Sequence, residues 1–432
     1  MEASEGAAAS RTMAITSRSV AGWALLGRGS GFLRVTVLAA VLGPTFFGNL
    51  FQTALLVPYT LAELLAVSLI PSLLAPRLVR LLADGDRDGA DRLAAGFLRA
   101  IVAILSVVAI AAAIAIPVIA WLLTVAVADP QVRAQQMALA TPLLLTLLPQ
   151  VVFDGIGAVA IAAQLARRQF MFPTAAPIIE NAGLVLTLIA VATVFGIARD
   201  IDAIGTGEVL LLGLGATAAA AAHAAAQCWG ASRAGFKLFR RARIRDTAVQ
   251  SAMKGAIASS GTAALSSLGA LFLLTAAGHV PGGAVAFQVG QYLLGLPIAL
   301  AVRSIAIVQL PHLATGSHDN AGFRQTYRAG LRLAFFLALP VAFMFLALPQ
   351  TLATVVSFGG MNTAGGTTMV AAVIVGLAPG VLAEALFVLS MSASYAQLDA
   401  GTPLRATVAR SLVSIVGIPL ALIVVEPSGA LF

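Results

Sequence analysis

The stretch Val20-Ala-Gly-Trp-Ala-Leu-Leu-Gly-Arg-Gly-Ser-Gly-Phe-Leu-Arg-Val-Thr-Val-Leu-Ala-Ala-Val-Leu-Gly43 decides how the chain is read. Apart from Arg28 and Arg34 it is apolar or small throughout. It is long enough to cross a bilayer, which takes about 20 residues of helix. A charge at bilayer depth is costly and normally faces a protein interior or a watery cavity. Six residues separate the two arginines, about 600° round a helix, so they share a side only loosely. They predict a cationic wall near the start of a many-span protein. The natural guest of such a wall is an anion.

The rest of the chain agrees. It has 432 residues, 59% of them hydrophobic and only 10% charged, with a mean hydropathy of +0.97. A soluble domain needs more polar surface than this. Apolar runs recur along the whole length, and only helices or closed barrels satisfy their backbone groups inside lipid. The fold class is therefore an all-α polytopic membrane protein. Eleven candidate spans stand at 20–43, 46–75, 97–126, 137–164, 172–196, 207–230, 252–276, 284–311, 331–357, 367–392 and 403–425. Pro58, Pro117, Pro149, Pro177, Pro297, Pro340 and Pro379 interrupt several of them, as in the broken helices of transporters.

Charge sets the orientation. With the N-terminus in the cytoplasm, the cytoplasmic loops hold Arg77, Arg80, Arg87, Arg92, Arg167 and Arg168. The run Arg233, Lys237, Arg240, Arg241, Arg243 and Arg245 follows, then Arg324, Arg328 and Arg405. The opposite loops hold Arg133 and Arg199. This asymmetry follows the positive-inside rule. It also accounts for the net charge of +8 better than nucleic-acid binding does.

The basic run divides the chain. Residues 1–19 are expected to form a cytoplasmic tail with no cleavable signal sequence. Residues 20–232 form a first lobe of six spans, 233–250 a cytoplasmic linker, and 251–432 a second lobe of five. Such halves suggest an internal repeat around a central cavity. A Pro-containing span followed by a basic loop occurs at Pro58 to Arg80 and again at Pro297 to Arg332. The second lobe looks one span short of six, since the chain ends at Glu426-Pro-Ser-Gly-Ala-Leu-Phe432.

Arg28 and Arg34 head the candidate binding residues, because guanidinium makes bidentate contacts with phosphate oxygens. The structural alternatives are pairing of Arg28 with Glu63 or Asp154, and snorkelling of Arg34 toward a membrane face. Arg303 either lines the cavity or snorkels. Glu63, Asp154, Glu180 and Glu384 are the carboxylates inside spans. Such groups bind coupling cations, relay protons or balance arginines; pairing is the expectation for Glu63.

Cys228, the single cysteine, excludes internal disulfides and a multi-cysteine metal site, and reads as packing. His223, His279, His312 and His318 lack metal-ligand spacing. No Walker-type loop or Gly-x-Ser-x-Gly elbow is present. No metal, cofactor or enzymatic activity is therefore expected, nor ATP-driven transport by this chain alone.

From Gly31-Phe-Leu-Arg and Leu38-Ala-Ala-Val-Leu-Gly43 onward, the sequence resembles the MurJ/MviN family of lipid II flippases. That family lies within the multidrug/oligosaccharidyl-lipid/polysaccharide exporter superfamily. Similar segments recur in order: Pro58 and Pro76, Gln164-Leu-Ala-Arg-Arg-Gln-Phe170, Pro173 to Asn181, Leu296-Pro297 to Leu310-Pro311, and Tyr395-Ala-Gln-Leu-Asp-Ala-Gly-Thr-Pro403. The resemblance covers about residues 20 to 425. It implies two six-helix lobes, alternating access, and transfer of an undecaprenyl-pyrophosphate-linked peptidoglycan precursor between leaflets of a bacterial cytoplasmic membrane. It also implies that Arg28 and Arg34 face the pyrophosphate. Some family charges are replaced. Asn49 stands for an acidic residue, Ala62 and Tyr292 for arginines, and Val67-Ser68 for a Glu-Gly pair.

The leading expectation is a flippase for lipid II or a related anionic glycolipid, partnered by membrane lipids and cell-wall synthesis proteins. A cation-coupled drug or metabolite antiporter would instead depend on Asp154 or Glu180. A non-transporting scaffold for envelope synthesis would tolerate neutralisation of both arginines.

Overall fold

The computed structural model describes residues 2–65, 67–242, 247–258, 260–298, 302, 305, 320–397, 399 and 401–424. All regular structure among the described residues is helical. Helix α1 (Glu2–Leu42) carries the two arginines, and its backbone runs back through the expected tail to Glu2. Helices α2 (Phe46–Glu63) and α3 (Ile70–Ala83) follow, bent by 60° about the break between them. The first half continues with α4 (Arg87–Ile114), α5 (Ile116–Thr124), α6 (Pro130–Leu147), α7 (Gln150–Ala166), α8 (Met171–Ala175), α9 (Pro177–Phe195) and α10 (Thr206–Arg233). The second half holds α11 (Thr247–Ala258), α12 (Ser260–Ala277), α13 (Gly283–Pro297), α14 (Asn320–Ala347), α15 (Pro349–Val356), α16 (Ala364–Ala396) and α17 (Gly401–Val424).

Among the described residues, seven helical segments are long and apolar enough to cross a membrane, or eight if the bent α2–α3 pair counts as one. Each of the eleven expected segments contains helix, although the span expected at 284–311 is described mainly over α13. The prolines divide by position. Pro117 and Pro177 sit in the first turn of α5 and α9, where the missing N–H costs nothing, and Pro149 precedes α7. Pro58, Pro340 and Pro379 lie inside continuous helices, so they do not interrupt their spans as expected.

Val107, Ile114, Leu186, Phe336 and Val413 stand exposed, as residues facing acyl chains would. Inside, α1 packs on α9 and α13, while α2 packs on α6, α7, α12 and α13. One apolar core therefore runs from the first half into the second, through Val35, Leu38, Phe51 and Leu143 to Val285, Val289 and Val373. A separate core joins α3, α4 and α7 to α11. Partly buried Cys228 packs against it, in keeping with a packing role.

One end of the bundle is closed. The amide of Ala198 donates to the carbonyl of Val41 at 2.7 Å, and the amide of Gly282 to that of Thr45 at 3.1 Å. Buried Asn49 ties α2 to the α12–α13 turn. Its amide donates to the carbonyls of Val280 (2.6 Å) and Gly278 (3.2 Å), and its Oδ1 accepts from the Ala284 amide at 3.0 Å. A neutral amide can donate and accept at once, which a carboxylate cannot. Gly282 has φ +79° and lies so close to the α1–α2 turn that a Cβ would stand 2.2 Å from the Cα of Pro44.

The basic stretch after α10 is also docked. Asp88 pairs with Arg240 and Arg92, the Lys237 amide donates to Asp91 at 3.2 Å, and Arg99 donates to the Ala242 carbonyl at 3.0 Å. Arg243 and Arg245 lie outside the described residues.

Gly282→Ala should destabilise the protein by about 1–3 kcal/mol, through strain at a left-handed position and collision with Pro44. Gly295→Ala, where a Cβ meets open space, should be near neutral. Thermal unfolding in detergent checks the pair.

Candidate functional site

The sequence places polar residues on several helices at one depth, and the bundle gathers them round a cavity of 530 Å³. Helix α1 contributes Arg34, and α2 contributes Gln52, Tyr59 and Glu63. Asp154 comes from α7, Glu180 from α9, His223 from α10 and Tyr292 from α13. The wall belongs mostly to the first half, closed on one side by α12 and α13.

Arg34 is half-buried, and its Nη2 donates to the hydroxyl of Tyr292 at 2.8 Å. Gly31, one turn before Arg34, leaves room for the tyrosine ring, since a Cβ there would lie 3.2 Å from Cε1. Asn181 secures the same stretch by donating to Ser30 Oγ at 2.9 Å. Arg28 stands exposed and outside the cavity lining. The structure therefore does not place both arginines on one described wall, because six residues turn a helix through more than half a circle beyond a full revolution. Arg303 lies outside the described residues.

The carboxylates are distributed differently from expectation. Glu63 is engaged at the α2–α3 break, where it accepts from the Ser68 amide at 3.0 Å and hydroxyl at 2.8 Å. Glu180 Oε2 lies 2.9 Å from His223 Nδ1. His223 Nε2 meets the amide nitrogen of Gln227 at 3.2 Å, and Gln227 Oε1 accepts from Gln164 at 2.8 Å. Asp154 faces the same cavity. Glu384 lies elsewhere, with Arg410 at 3.9 Å. Among the described residues, no group of three or more His, Cys, Asp or Glu could hold a metal ion.

Sequence reasoning did not mark Gln52, Tyr59, His223 or Tyr292 as members of this cavity. His223 and Glu180 are 43 positions apart, and Arg34 and Tyr292 are 258 apart, so no local spacing reveals either pair. Tyr292 stood out only as the residue in place of an expected arginine. The lining is thus of mixed sign, with three carboxylates and one described arginine, instead of a cationic wall.

Comparison with known proteins places this architecture. The model of the family described as lipid II flippase MurJ matches residues 38–431. The chain belongs to that family. The lipid II flippase MurJ of Burkholderia cenocepacia is 23% identical over 409 residues, covering 90% of this chain and 74% of that relative. A structure of lipid II flippase MurJ in an inward closed conformation superposes with a TM-score of 0.75 at 16% identity, over 94% of this chain and 80% of the other. An inward-facing multidrug resistance MATE transporter of the MOP superfamily gives 0.72 at 13% identity, over 94% and 88%. The fold is that of MurJ and MATE proteins, and the MurJ-family chain is a multi-pass membrane protein of a transporter class.

Glu63→Ala should cost about 1–3 kcal/mol, because the Ser68 amide and hydroxyl lose their acceptor. Glu63→Gln keeps an acceptor oxygen and should recover part of that loss. Unfolding midpoints of the two variants check the order.

Proposed function

We propose that this member of the lipid II flippase family carries lipid II, or a related anionic polyprenyl-linked glycolipid, across the bacterial cytoplasmic membrane by alternating access. Family membership over residues 38–431 carries the reading. Arg34 supports it locally as a cation reaching the cavity at bilayer depth.

The N-terminus lies in the cytoplasm, which puts the basic loops inside and the closed end at the outer face. Residues 20–232 and 251–432 act as the two lobes, joined by 233–250. The cavity receives the headgroup from the cytoplasmic side while the polyprenyl tail stays in lipid. Arg28 meets the headgroup first, Arg34 holds the pyrophosphate deeper in, and Arg303 adds charge from the second lobe. Glu63 fixes the α2–α3 break. Asp154 and Glu180 keep the cavity from trapping an anion irreversibly. The lobes then rock to open the outer end. Translocation needs no covalent chemistry and no cofactor. The membrane potential can help to reset the empty cavity, at about 2.3 kcal/mol per charge per 100 mV.

A second reading has one observation in its favour. Asp154, Glu180 and His223 line the same cavity, as a cation- or proton-coupled antiporter would require.

Complementation of a bacterium depleted of its own lipid II flippase separates the two. The wild-type chain should restore growth and Arg34→Ala should not, at equal membrane levels, whereas Asp154→Asn should retain substantial function. Failure of the wild-type chain at normal levels would overturn lipid II as cargo. Loss with Asp154→Asn and retention with Arg34→Ala would favour the antiporter.

A further inference from the structure

The hydrogen bond between Arg34 and Tyr292 joins the two halves of the chain at the head of the cavity. Its depth follows from helix geometry. Arg34 precedes the end of α1 at Leu42 by about 12 Å, and Tyr292 follows the start of α13 at Gly283 by about 14 Å, taking 1.5 Å per residue. Between this pair and the closed end, Val35, Leu42, Val285 and Val289 belong to the apolar core, while Leu38, Gln52 and Gln288 still line the cavity. The pair is therefore a side-chain hydrogen bond that ties α1 to α13 within the cavity.

We propose that Arg34 and Tyr292 form a cargo-released latch that couples occupancy of the cavity to opening of the closed end. The proposal rests on the reading of the cargo as an anionic pyrophosphate lipid. Opening the seal parts α2 and the α1–α2 turn from the α12–α13 turn, and because α1 and α13 run from those turns it moves α1 relative to α13. In the empty cavity that movement takes from the guanidinium the acceptor that α13 supplies, and losing a hydrogen bond to a charged group costs free energy. Tyr292 thus holds the empty carrier shut.

A bound pyrophosphate changes the balance. Its anionic oxygens make shorter and stronger hydrogen bonds to guanidinium than a neutral phenol does. Bidentate contact along the Nη1–Nη2 edge recruits the Nη2 that Tyr292 otherwise occupies. Arg34 then keeps its partners while α13 moves. The cargo gains a preference for the open state, the condition any ligand must meet to drive a conformational change. An empty carrier that opened freely would cycle without transporting, and the latch suppresses this.

The test uses the full chain in nanodiscs, with Cys228→Ser and spin labels on Gln131→Cys and Asn362→Cys, exposed positions in opposite halves near the closed end. Without cargo, Tyr292→Phe should raise the open-to-closed ratio about tenfold, as loss of a hydrogen bond to a charged group implies. Arg34→Lys, which keeps the charge but shortens the reach, should also open the empty carrier. Added lipid II should open the wild type, have little further effect on the distances in Tyr292→Phe, and bind that pre-opened variant more tightly than the wild type. An unchanged distance distribution in both cargo-free variants overturns the latch. So does loss of lipid II affinity in Tyr292→Phe without cargo-free opening, which would make Tyr292 a cargo ligand. Cargo-free opening by both variants, with no response of the wild type to lipid II, upholds the latch and overturns lipid II as its key.

Discussion

A guanidinium at bilayer depth must have acceptors around it, and the bundle is arranged to provide them for Arg34. Tyr292 reaches it from the far half of the chain. Gly31 clears the space for the tyrosine ring, and Asn181 fixes α1 through Ser30. Each contact would be minor in water. Within a membrane the alternative is an unsolvated charge, so the same contacts decide which helices lie next to α1. The close approach of α1 to both α9 and α13 serves this requirement.

The seal at one end obeys a related rule. Irregular backbone between helices carries unpaired polar groups, and here the turns satisfy one another. Asn49 serves three backbone groups of the α12–α13 turn, Gly282 bonds to Thr45, and Ala198 to Val41. An amide at position 49 suits this role because it both donates and accepts.

Much of the fold was legible in the sequence because lipid imposes it. Long apolar runs can only be helices there, and each expected span contains one. Span number and helix breaks were harder to read. Pro117 and Pro177 end up at helix starts while Pro58, Pro340 and Pro379 sit within helices, a difference set by neighbours and not by the residue. Four of the polar residues round the cavity stood out in the sequence, but none of their pairings did. Arg34, Glu63, Asp154 and Glu180 do line one cavity. The engagement of Glu63 by Ser68, of Glu180 by His223 and of Arg34 by Tyr292 depends on backbone placement that no local pattern encodes. Arg28 stands off that cavity for a simpler reason, since the helical turn alone separates it from Arg34.

The mixed sign of the cavity gives the account its sharpest consequence. With Glu63 bound to Ser68 and Glu180 beside His223, Arg34 is the one arginine in the described lining, so the proposed recognition rests on a localised anion. Binding of lipid II to the purified chain in nanodiscs, followed by native mass spectrometry in competition with inorganic pyrophosphate, tests this most directly. The account predicts saturable binding of one lipid II per chain, weakened by pyrophosphate and not matched by an uncharged polyprenyl glycolipid. Equal binding of the uncharged lipid, or no effect of pyrophosphate, would contradict it.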